Sequence, residues 1–270
     1  MKIYTFLALL FITTICKAEH NVKIYYEKVE NGYNVYADNQ EFCQVSIKID
    51  FNITNLDVRG GNHNIYLVDA LKKRQLLTKL VISKKGIAYK FSYKYWTSYG
   101  NLNKDKYDND FVYYLPFYKS NSFKVYQGYN GDFSHQNKNA LDFTMPIGTE
   151  ITAIREGIVI KVVEKNTKNC GTEDCKKYNN LLIIFHPDGT FAEYTHLKKN
   201  GAIVNVGDKV TQGQLVGYSG NVGWSTGPHL HLEVFLQKLG KRETLKTKFL
   251  TGNGEKAEFL VAKNEYNRSY

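Results

Sequence analysis

A chain of 270 residues exceeds one typical domain, so one large or two moderate domains are expected. Its 36 basic residues outweigh 26 acidic ones for a net charge of +10, an excess that favours an anionic partner: nucleic acid, a membrane surface or an acidic wall polymer. Beyond residue 18 no apolar run approaches the roughly 20 residues of a spanning helix, which argues against a membrane span.

Residues 1–18, MKIYTFLALLFITTICKA, combine an early lysine, an apolar run from Leu7 to Ile15, and small residues at Cys16 and Ala18. That pattern predicts a secretory signal peptide and an exported chain, periplasmic or secreted, beginning near Glu19. A lipoprotein anchor at Cys16 is disfavoured by the bulky Ile15 before it. Loss of Lys2 and Lys17 leaves 34 basic residues against 26 acidic ones, +8, and export makes nucleic acid the least suitable partner.

From 19 to 110 the runs VKIYYEKV, YNVYA, QVSIKIDF and KLVISKKGIAYKFSYKYW alternate as strands do, with Tyr89, Phe91, Tyr93 and Tyr95 on one face. They predict a small, sandwich-like β domain without a catalytic constellation. The polar stretch NLNKDKYDND, 101–110, marks its end. From 111 to 240 short strands are punctuated by glycine, as in GTEITAIREGIVIKVVEK and GDKVTQGQLVGYSGNVG, and no long amphipathic helix appears. Residues 241–270 still contain strand-like patches and are expected to pack on the body. The fold class is therefore mainly β.

Three cysteines follow the leader: Cys43, Cys170 and Cys175. In an oxidising compartment CGTEDC predicts a Cys170–Cys175 disulfide, contributing roughly 2 kcal/mol on a chain-entropy argument. Cys43 is left as a buried free thiol. The sequence carries no signature of oligomeric state.

Among the histidines, His63 sits in the first β region without a partner motif, and His186 ends an apolar strand before a Pro-Asp-Gly turn. His63 reads as an ordinary surface or turn histidine, and His186 as structural at the strand end. His135, Asp142, His196, His229 and His231 form the candidate constellation. A catalytic zinc takes three nitrogen or oxygen ligands and keeps an open position, and this set can supply them. His229 and His231, in HLH, would share a strand face roughly 7 Å apart at Cα, close enough for both to chelate. Spacing alone does not say which three bind, but the absence of HExxH excludes the helical metalloprotease design. The glycine-rich GYSGNVGWSTGPH lacks the phosphate-loop arrangement and reads as a cleft wall leading into HLH, with Trp224 for packing or substrate contact.

The segments SHQNKNALDFTMPIGTEITAIREGIV, NNLLIIFHPDGTFAEYTHL and VNVGDKVTQGQLVGYSGNVGWSTGPHLHLEVF, with the lead-in YYLPFYKSNSFKVYQGYNG, resemble the lysostaphin-type zinc metallopeptidases that cut peptide bonds in bacterial peptidoglycan. The resemblance covers about 133–236. It implies an antiparallel β-sheet catalytic domain with one zinc held by His135, Asp142 and His231, and His196 and His229 as catalytic groups outside the ligand set. It implies peptidoglycan as the substrate. The His135 to Asp142 spacing is longer than the compact HxxxD of some members and resembles a branch with an inserted turn. Glu233, on the face of His229 and His231, reads either as an acceptor orienting a ligand imidazole or as a solvated carboxylate. Asn180 resembles a position near the substrate cleft. The alternative function is a non-catalytic wall-binding or regulatory module of the same fold.

Overall fold

The computed structural model describes residues 20–270; the expected signal peptide lies outside the described residues. Strands dominate, and a six-residue 3-10 helix, Glu173–Tyr178, is the one helical segment among the described residues.

The first lobe holds β1 (Val22–Val29), β2 (Gly32–Asn39), β3 (Val45–Thr54), β4 (Leu56–Val58), β5 (Ile65–Val68), β6 (Gln75–Ile82) and β7 (Lys90–Tyr99). They pair into two sheets, β1-β2-β6-β4 and β5-β3-β7. The alternation seen in sequence closes the space between them: Val45, Ile47, Ile49 and Phe51 of β3 are buried with Val35, Ala37 and Leu80, and Phe91, Tyr93 and Tyr95 of β7 pack against them.

The second part runs through β8 (Val112–Tyr113), β9 (Asn121–Gln127), β10 (Ala140–Thr144), β11 (Glu150–Thr152), β12 (Gly157–Val163), β13 (Asn169–Cys170), β14 (Leu181–Phe185), β15 (Phe191–Thr195), β16 (Leu197–Ala202), β17 (Lys209–Val210), β18 (Leu215–Ser219), β19 (Gly223–Trp224) and β20 (His229–Lys238). The chain ends with β21 (Lys241–Thr244), β22 (Lys248–Thr251), β23 (Lys256–Phe259) and β24 (Glu265–Arg268). Nine of these strands form one sheet, β17-β12-β14-β15-β20-β10-β9-β24, with β21 paired to β20. Its pairings are antiparallel; the parallel pairs are the short contacts β13 to β19 and β8 to β22. The tail is tied to the body three times, through β21 on β20, β24 on β9 and β22 on β8.

One face of the large sheet covers a core that includes Phe117, Phe143, Leu182, Ile184, Tyr194, Leu230, Leu232 and Val234. On the opposite face Phe185, Phe191 and Phe235 form a row, capped by Phe42, Cys43 and Tyr99 of the first lobe. Gly100 enters this seam with φ +74°, where a Cβ would lie 2.9 Å from the Phe191 ring, so both the backbone conformation and the close approach require glycine.

Candidate metal centre and cleft

β20, HLHLEVFLQK, divides its side chains between two surroundings. Leu230, Leu232, Val234 and Leu236 enter the large core. His229, His231, Glu233 and Phe235 therefore share the opposite face. Register places Asp142 of β10 directly across from His231, and Thr195 of β15 across from it on the other side. His135 comes from the loop before β10, where its Nδ1 donates to the Gly128 carbonyl at 2.9 Å and leaves Nε2 as the accepting nitrogen.

Three donor atoms then converge. His135 Nε2 is 3.2 Å from His231 Nδ1 and 3.2 Å from Asp142 Oδ1, and His231 Nδ1 is 2.8 Å from the same oxygen. Tetrahedral zinc with bonds of about 2.0–2.1 Å keeps neighbouring ligand atoms about 3.3–3.4 Å apart, so a slight widening of this triangle accepts the ion. Burial disfavours a charge on Asp142, but the His135 and His231 imidazoles beside its Oδ1 hold its pKa well below the carboxylate range. Its second oxygen accepts from Gln127 Nε2 at 2.9 Å, so the buried carboxylate is satisfied on both sides. Burial also opposes charge on His231, yet the carboxylates of Asp142 and Glu233 overcome it and raise this imidazole to about 10. The same negative potential favours a bound cation.

His196 and His229 stand beside this triangle with ring centroids 4.5 Å apart. His196 follows the last residue of β15 with φ +71°, a conformation rare for a non-glycine residue. The turn is braced by Asn180, whose carbonyl accepts from the His196 amide at 2.9 Å while its buried side chain bonds Asn166 and Leu197. The His196 Nδ1 donates to the Val222 carbonyl at 2.8 Å, and that of His229 to the Gly227 carbonyl at 2.8 Å. Each ring thus keeps Nε2 as a proton acceptor. Burial, reinforced by His229 and His231, pulls His196 down to about 3; burial lowers His229 as well.

All five expected site residues come together. Asp142, His196, His229 and His231 line a cleft of about 650 Å³ whose walls include Phe133 and Lys138 on one side and Asn179 and Trp224 on the other. Trp224 both lines the cleft and donates its indole N–H to the Gly171 carbonyl. Asn180 is buried behind its neighbour Asn179 rather than facing the cleft. His63 is exposed and pairs with Asp50 at 2.6 Å, and His186 is buried away from the centre.

Gln127, Glu193 and Arg242 were not singled out from sequence. Arg242 Nη1 lies 2.7 Å from Glu233 Oε1 and 2.8 Å from Glu193 Oε2, and Glu233 Oε2 lies 3.8 Å from His231 Nε2. Period-two alternation from Thr195 back to Glu193 would have flagged the glutamate; Arg242 falls past the expected end at 240, on a strand that continues the sheet.

Residues 136–243 match the Peptidase family M23 profile. Over 246 residues the chain is 31% identical to an uncharacterized metalloprotease of Buchnera aphidicola subsp. Baizongia pistaciae, covering 90% of this chain and 54% of that protein. It is 38% identical over 99 residues to the peptidoglycan DD-endopeptidase ShyA of Vibrio cholerae (37% of this chain, 20% of that one), and 38% over 107 residues to lysostaphin of Staphylococcus simulans (39% and 19%). The chain thus spans about half or less of the length of these relatives. The catalytic domain of S. simulans lysostaphin aligns at 28% identity with a TM-score of 0.34, over 46% of this chain and 87% of that domain. By the family match and the motifs it covers, residues 136–243 form a peptidase family M23 domain, similar to that of lysostaphin.

Proposed function

We propose that the chain is an exported zinc endopeptidase that hydrolyses peptide bonds in the cross-links or stems of peptidoglycan. The observation that carries this is the triangle of His135 Nε2, Asp142 Oδ1 and His231 Nδ1, with two further imidazoles alongside whose Nε2 atoms are free to accept. The donor set suits zinc, which when bound polarises the scissile carbonyl and acidifies a water. His135, Asp142 and His231 hold the ion. His196 and His229 have their Nδ1–H groups committed to backbone carbonyls, so each ring is fixed in one tautomer and one orientation. Their neutral Nε2 atoms divide between them the proton taken from the attacking water and its delivery to the departing amine. Thr195 and Asn179 line the cleft beside them. The net charge of +8 after leader removal supports attraction to an anionic wall polymer, weakened by salt. ShyA is named for peptidoglycan endopeptidase activity, which supports the same substrate class here.

The test is metal content together with muropeptide release from purified peptidoglycan. His231→Ala is expected to lose zinc and activity, and His229→Ala to keep zinc and lose activity. Stoichiometric zinc in the wild type without product from any peptidoglycan type would replace this proposal with the non-catalytic wall-binding reading. Zinc lost from His229→Ala but kept by His231→Ala would exchange the roles of the pair.

A further inference from the structure

We propose that Arg242 is a positioning residue for the metal centre: it holds Glu233 against His231 Nε2 and so fixes which nitrogen of His231 faces the metal. This rests on the zinc reading above. His231 turns Nδ1 to Asp142 and His135, so when that nitrogen ligates the ion the neutral ring carries its proton on Nε2, and the group facing Nε2 is Glu233, 3.8 Å away. A metal-bound histidine is commonly oriented by such an acceptor, but the acceptor must itself be held.

Register makes Glu233 a difficult group to hold. Glu193 of β15 lies directly opposite it, so two buried carboxylates face each other across neighbouring strands, a pairing that repels. Arg242 resolves this. Its Nη1 contacts one oxygen of each glutamate, 2.7 Å to Glu233 and 2.8 Å to Glu193, while the guanidinium lies 4.2 Å over the Phe235 ring. Phe235 is in turn stacked on Phe191 at the seam with the first lobe. The guanidinium therefore has a fixed floor, and Glu233 is left with Oε2 toward His231. Glu193 is anchored separately, its Oε1 accepting from Thr195 Oγ1 at 3.0 Å.

With the cation gone, the two carboxylates repel and Glu233 swings from the imidazole. With Glu193 neutralised as well, the repulsion disappears and Glu233 can return. The prediction has a sign that a merely structural role lacks: a second substitution in the same cluster repairs the first.

Zinc affinity, read by competition with a chromogenic chelator at one pH, is the measurement. Arg242→Gln is expected to bind zinc about 10- to 100-fold more weakly than wild type, the range for loss of an orienting partner. Glu193→Gln alone should stay close to wild type, and Arg242→Gln/Glu193→Gln should recover most of the loss. Zinc binding by Arg242→Gln equal to wild type, or a double variant no tighter than Arg242→Gln, would overturn the proposal. If Arg242→Gln does not fold, Arg242→Met carries the same test, since it also removes the cation while keeping an unbranched side chain; unchanged affinity there overturns it too. A wild type that binds no zinc would instead sink the underlying metallopeptidase reading.

Discussion

His186 follows β14 and is fully buried, with Nδ1 donating to the Glu156 carbonyl at 2.7 Å and Nε2 enclosed without a partner. Burial, helped by the nearby Arg155 guanidinium, lowers its pKa from 6.5 to about 4. The folded state therefore binds fewer protons here than the unfolded chain between those values. This contribution to stability is fully present above pH 6.5 and is lost as pH falls toward 4, a difference on the order of 3 kcal/mol. Denaturant unfolding of the wild type should show stability dropping across that window, and His186→Gln, which keeps a donor for Glu156, should show a shallower drop. Parallel pH profiles for the two proteins would refute this role for His186.

At the scale of elements, the cleft wall before HLH depends on a small cross-linked unit. The Cys170–Cys175 disulfide is present, tying β13 to the 3-10 helix. β13, which contains Cys170, pairs with β19, and the Ser225 amide donates to the Cys170 carbonyl at 3.2 Å. Gly223 has φ +90°, and a Cβ there would fall 1.9 Å from Asn179 Oδ1, the acceptor for the Trp224 amide. The wall carrying Asn179 and Trp224 is thus attached to the disulfide loop, while Asp142 and His231 belong to the central strands. Cys170→Ser/Cys175→Ser is expected to lose roughly 2 kcal/mol of stability and to raise KM for wall peptides more than it lowers kcat, with zinc content unchanged. A loss confined to kcat would refute the wall assignment. The same division explains what could be read from sequence. HLH and the Asp142 strand are local patterns whose side chains period-two alternation places, and the CGTEDC loop is legible from its two cysteines. The positive φ of His196, the support of Asp142 by Gln127 and the Glu193–Arg242–Glu233 contact depend on which strands become neighbours and in what register. No local pattern carries that information.

Across the whole molecule, the first lobe and the cleft occupy one face of the large sheet. Descending β20, His229 and His231 face the cleft, Glu233 meets Arg242, and Phe235 passes beneath Phe42, Cys43 and Tyr99. None of the described residues before Tyr126 lines the cleft, so the lobe does not enter it. The phenylalanines under the lobe could be recognised from sequence as apolar strand positions, but not as an interface, because a core face and a docking face alternate identically. Cys43 reports on this seam. It is the free cysteine among the described residues, fully buried, and burial pushes its thiol up to about 12. In protein produced without residues 1–18, Cys43 should react with Ellman's reagent only through opening of the seam. Phe42 packs against this cluster, so Phe42→Ala should remove on the order of 2 kcal/mol of lobe docking and accelerate the reaction by about thirtyfold. An exposed-thiol rate in the wild type, or an unchanged rate in Phe42→Ala, would show that the lobe is not held there by this contact. If the acceleration is found, the same variant tests what the lobe does for substrates: releasing it uncovers Phe191 and Phe235 beyond Glu233, lengthening the groove on its apolar side. Longer cross-linked muropeptides should then gain in kcat/KM relative to short ones.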